Sequence, residues 1–184
     1  MTIAASNLGV AQLLMVQLAA FLAALLLASG LHKMIGRGRA AVVVHEFAGV
    51  PLRLAPFVLA AVAATEALAG LLLWMPWSRA AGAVLALLIW GSYLWLIVRA
   101  IARGRRDVDC GCSFGAAQRP LGAYHVARIA ALGGAAALVA VVCTASATGP
   151  VIASQVLAAL ALLALYGALD QVMSLSAPRA GALL

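Results

Sequence analysis

Five apolar runs, each close to the roughly 20 residues of helix that cross a bilayer's hydrocarbon core, constrain this chain more than any other feature. They lie at about 12–31, 56–75, 80–101, 122–145 and 151–169. A soluble chain of 184 residues needs a polar surface, yet 66% of these residues are hydrophobic and only 9% are charged. The mean hydropathy of +1.12 agrees. No run alternates with the period of two that a membrane β-strand requires. The sequence therefore predicts an all-α, multi-pass transmembrane bundle of four to five spans, five being the better count, in a single membrane domain over 1–184. Residues 1–10 carry neither a basic cluster nor a small-residue cleavage site, so the first run reads as a retained helix.

The connections between runs are of two kinds. Pro76-Trp77 and Gly149-Pro150 are tight, which predicts antiparallel hairpins of the second span with the third and of the fourth with the fifth. Trp74 and Trp77 suit an interfacial belt. The other two connections are long. From His32 to Ala55 the chain holds Lys33, Arg37, Arg39, His45, Glu46 and Arg53, with an apolar patch, Ala40–Val44, suited to a short interfacial helix. The segment 103–121 holds Arg103, Arg105, Arg106, Asp107, Asp109, Cys110, Cys112 and Arg119. Five spans place both long connections and the C-terminal tail on one face of the membrane.

The net charge of +7 comes from basic residues in short stretches beside apolar runs. Such residues set topology and touch lipid headgroups; the continuous basic face that nucleic acid demands is missing, so no nucleic-acid partner is expected. Arg79 is the one basic residue on the tight-turn face. The positive-inside rule accordingly puts the long connections in the cytoplasm and the N-terminus outside. The small residues at Gly133-Gly134-Ala135-Ala136-Ala137 suit close helix packing.

Ionisable residues inside spans are costly and point to function. Glu66 sits near the middle of the second span, about 16 Å from the long-connection face at 1.5 Å per residue, and Arg128 about 10 Å from it. His125, His32, Lys33 and Asp170 lie nearer the same face. Two arrangements account for this one-sided set. In the first, Glu66 pairs with Arg128 as structural glue while Lys33 and Asp170 snorkel to the interface. In the second, Glu66, His125, Arg128, His32 and Lys33 border a polar cavity that moves protons or takes a polar cofactor head.

Asp109-Cys110-Gly111-Cys112-Ser113-Phe114-Gly115 is the most specific local motif. Two thiols one glycine apart close a small, strained and readily exchanged disulfide, and so short a loop removes too little chain entropy to be a useful staple. Arg105, Arg106 and Arg119 would stabilise a thiolate, with Asp107 and Asp109 opposing them. A redox dithiol, a copper or zinc site completed by His125 or His32, and a pair of incidental loop cysteines all fit the pattern. Cys143, at the far end of the fourth span, reads as a buried apolar thiol.

Asp-Cys-Gly-Cys followed by Phe-Gly after a basic-ended third span resembles the methylamine-utilisation MauE family, grouped with DoxX-like redox-associated membrane proteins. Ser29-Gly30-Leu31-His32-Lys33 and Glu66…Gly70 are also similar to that group, and the likeness runs from about Leu18 to Ala140. The resemblance implies a bacterial inner-membrane protein in which Cys110 and Cys112 exchange electrons with a thioredoxin-like partner and pass them to a quinone. It also implies a secreted, disulfide-containing substrate such as the methylamine dehydrogenase small subunit. Metal-handling or transport through the cysteine loop, and a scaffold that merely docks the partner, are the alternatives. Disulfide formation belongs outside the cytoplasm, whereas the charge bias points the loop inward.

Overall fold

The computed structural model describes residues 2–105, 121–142 and 149–175, all of whose regular structure is helical. The elements are α1 (Thr2–Ile35), α2 (Arg37–Ala48), α3 (Ala55–Trp74), α4 (Arg79–Ala102), α5 (Ala123–Val142) and α6 (Gly149–Leu175). Among the described residues, five stretches are long and apolar enough to cross a membrane: Val10–Ile35, Ala55–Trp74, Arg79–Ala102, Ala123–Val142 and Gln155–Val172. The expected interfacial helix is present as α2, which contains the whole Ala40–Val44 patch. Gly49, at a φ of 71°, ends α2 by giving its N–H to the carbonyl of His45.

Among the described residues α1 packs against every other helix, most extensively α3, then α6. Its side chains Leu22 and Leu26 are sealed in a core with Leu73, Ile97 and Val139. Large apolar side chains also cover the outside, Phe57, Leu88, Val141 and Leu165 among them, as lipid contact requires. Close helix approach rests on Gly70, where a Cβ would come within 2.8 Å of Leu27 and 3.0 Å of the Ala23 carbonyl. By contrast, a Cβ on Gly133 would meet only ordinary contacts and one on Gly134 nothing within 4 Å. Within the segment Gly133-Gly134-Ala135-Ala136-Ala137, Gly133 and Ala136 are nonetheless buried, Gly133 against Leu87 and Trp90 of α4.

The hairpin of α3 with α4 forms as expected. Its tight turn is tied back to α3: Ser78 Oγ donates to the Leu72 carbonyl at 3.0 Å, and buried Arg79 donates through Nε to the Leu73 carbonyl at 3.3 Å. These bonds satisfy carbonyls that the end of α3 leaves without helical partners. The second expected hairpin differs. Among the described residues the backbone of α6 lies against α1, and α5 lies against α4 and α1. The long side chains of Arg128, Tyr166 and Asp170 bridge α5 and α6 and fill the space between them.

Candidate functional site

Two buried ion pairs organise the half of the bundle that faces the long connections. In the first, the Lys33 ammonium lies 2.8 Å from Glu66 Oε1 and 2.9 Å from Oε2. Lys33 also donates to Ser29 Oγ at 2.7 Å, one helical turn back along α1. The Ser29 hydroxyl donates to Glu66 Oε1 at 3.3 Å, and the Tyr93 hydroxyl donates to the same oxygen at 2.5 Å. Glu66 is 1% exposed, so this carboxylate from α3 is clamped by donors from α1 and α4. Charge-assisted bonds of this kind offset the cost of holding an ionised group away from water.

In the second pair, Arg128 of α5 donates through a terminal nitrogen to Asp170 Oδ1 at 2.7 Å. Its Nε donates to the Tyr166 hydroxyl, and the guanidinium lies 4.7 Å from the centre of the Tyr166 ring. That ring meets Phe21 of α1 edge-on at 6.0 Å. Tyr166 and Asp170 are one helical turn apart, which puts both on the α6 face that receives Arg128.

One member of each pair, Glu66 and Arg128, borders a small cavity of about 30 Å³ together with Ser29, Tyr93 and Tyr166; Lys33 and Asp170 stand behind them and do not line it. A volume of that size admits about two water molecules. Polar groups from five helices thus converge on a space suited to water, in the half of the membrane that faces the long connections.

Several expectations change in detail. Glu66 does not pair with Arg128: each has its own partner, because Lys33 and Asp170 turn inward instead of reaching for the interface. Lys33 reaches Glu66 from the last turn of α1, where a four-carbon stem spans the gap. His125 is buried near the start of α5, against Tyr124, but is not among the residues that border the cavity. His32 is exposed on the outer side of α1. Arg105 is exposed just beyond α4. No set of three His, Cys, Asp or Glu side chains among the described residues is grouped to hold a metal ion. Cys110 and Cys112, with Arg106, Asp107, Asp109 and Arg119, lie outside the described residues, as does Cys143.

Tyr93 and Tyr166 are the members of the polar cluster that sequence reasoning passed over. Their signal was available: each is a phenol inside an apolar run, and Tyr166 stands one turn from Asp170 just as Ser29 stands one turn from Lys33.

A family model described as methylamine utilisation protein MauE matches residues 10–167. No curated protein and no solved structure matches the chain.

Proposed function

We propose, because this chain belongs to the MauE family, that it is a bacterial inner-membrane thiol–disulfide redox protein acting in methylamine utilisation. The observation that carries this reading is the Cys110-Gly111-Cys112 motif within the matched span, in the connection that follows α4. The Cys110–Cys112 disulfide takes two electrons and two protons from a partner dithiol, whose own disulfide forms. A membrane quinone then takes those two electrons and two protons, becoming quinol and restoring the loop disulfide. The partner is thioredoxin-like, and the final recipient is a secreted disulfide-containing protein such as a methylamine dehydrogenase small subunit. Arg105, with Arg106 and Arg119, favours the thiolate. With room for about two waters, the cavity between Glu66 and Arg128 serves proton movement and does not house a quinone ring.

The test is oxidation of a reduced partner by membranes carrying the intact chain, Cys110→Ser or Cys112→Ser. Loss of oxidation in both variants is expected. Undiminished oxidation by either variant overturns the redox role, and metal bound through both cysteines without disulfide transfer would replace it.

A further inference from the structure

A groove of about 180 Å³ runs between α2, α3 and α4. Val43, Val44 and Phe47 of α2 face Val58 and Val62 of α3 across it, with Leu96 of α4 along its side. Lys33 closes the inner end, but its charge is already matched by Glu66, so that end carries no net charge. Apolar cavities of about 150 Å³ hold a benzene ring, so the groove has room for roughly six carbons of an apolar chain.

Phe47 and Leu96 also border a second, shallow notch at the membrane-surface end of α4, completed by Arg99, Arg103 and Arg105. Arg99 and Arg103 share a helix face at a spacing of four, and the Arg99 guanidinium lies 4.9 Å from the centre of the Trp95 ring one turn earlier. Arg105 is brought to the same place by the way α4 ends. Gly104, at a φ of 73°, turns the chain, its N–H bonds to Ile101, and the Arg105 N–H returns 3.0 Å to the Ala100 carbonyl. Neither the groove nor the notch is bordered by an acidic side chain among the described residues; Glu46, beside Phe47 on α2, is exposed.

We propose that groove and notch are one site for an anionic phospholipid, with an acyl chain between α2, α3 and α4 and the phosphodiester on Arg99, Arg103 and Arg105. Planar guanidinium groups pair with phosphate oxygens through two parallel hydrogen bonds, and basic pockets between spanning helices take anionic headgroups. The two halves share residues, so one amphiphile engages both. The site needs neither cysteine; it shares Arg105 with the redox reading, and Tyr93 lines both the groove and the Glu66 cavity.

Native mass spectrometry of the full chain in neutral detergent tests it, with phosphatidylglycerol, phosphatidylcholine and glycerol phosphate as probes. One phosphatidylglycerol should be retained at least about tenfold more tightly than phosphatidylcholine. The triple variant R99Q/R103Q/R105Q, altered only at exposed positions, should lose that preference while remaining monodisperse. Equal retention of the two lipids, or an unchanged preference in the triple variant, overturns the proposal. Displacement of the lipid by an equal concentration of glycerol phosphate also overturns it, because the site would then bind phosphate without using the groove.

Discussion

Lys33 and Glu66, 33 residues apart in the chain, meet in the bundle with the ammonium 2.8 Å and 2.9 Å from the two carboxylate oxygens. Only 11% of one side chain and 1% of the other is exposed. Together with Arg128–Asp170, this pairing matches each of these four inward-facing charges with an opposite one. The polar cluster is therefore tolerable in lipid, and it still keeps hydrogen-bonding groups beside a water-sized space.

Removing one member of the first pair exposes the cost of the other. Lys33→Met leaves a buried carboxylate with only hydroxyl donors, and should cost about 3 kcal/mol of stability. Lys33→Met combined with Glu66→Gln removes both charges and should recover most of that loss. Thermal unfolding of the detergent-solubilised chain measures both variants. A double variant as unstable as the sum of the two single ones would show that the pair is not coupled.

The second pair predicts an order of effects. Asp170→Asn strips the Arg128 guanidinium of its counter-charge, and should again cost about 3 kcal/mol. Tyr166→Phe removes one hydroxyl but keeps the ring against Phe21 and under the guanidinium, so about 1 kcal/mol is expected. The same unfolding measurement ranks them. A larger loss from Tyr166→Phe would mean that the tyrosine hydroxyl, not the carboxylate, holds Arg128.

The five spans were legible because a run of about 20 apolar residues has one economical fate in a bilayer. The depth of Glu66 and Arg128 was legible too, since rise per residue turns sequence position into distance along the normal. What did not follow was who pairs with whom. Depth sets a level, whereas pairing depends on the angle around each helix axis and on which helices are neighbours. Lys33 belongs to α1, the helix most extensively packed on α3, and so it reaches Glu66 first. The docking of α6 on α1 was hidden for the same reason: Gly149-Pro150, which begins α6 where the sequence suggested a turn, says nothing about a third helix. Arg79, which sequence reasoning used only as a topology marker, proves to cap the end of α3, a role read from its carbonyl partner alone.

Orientation has its own test, because the basic residues and the thiol chemistry point the long connections in opposite directions. The positive-inside rule predicts a cytoplasmic α2. In a variant with the native cysteines replaced by Ser, a cysteine placed at exposed Gly38 should react with an impermeant maleimide only after the cells are opened. One placed at Trp77, 82% exposed in the opposite turn, should react in intact cells. The reverse pattern would put the cysteine-bearing connection outside and make Arg105 and its neighbours servants of chemistry instead of topology.

Glycine substitutions separate close approach from mere helix composition. A Cβ on Gly82 would lie 2.5 Å from the Leu73 nitrogen and 2.8 Å from the Leu72 carbonyl carbon, both backbone atoms, so α3 and α4 must part to admit it. Gly82→Ala should therefore cost about 2–3 kcal/mol. At Gly70 the nearest obstacle is the Leu27 side chain, which can turn aside, although the Ala23 carbonyl at 3.0 Å cannot. Gly70→Ala should cost less than Gly82→Ala, about 1–2 kcal/mol. Gly134 meets nothing within 4 Å and sits inside α5, so Gly134→Ala should stabilise by about 0.5–1 kcal/mol through helix propensity. Unfolding midpoints of the three variants should thus fall in the order Gly134→Ala, Gly70→Ala, Gly82→Ala from highest to lowest. A Gly82→Ala chain as stable as the native one would mean that α3 and α4 are not held together at this seam.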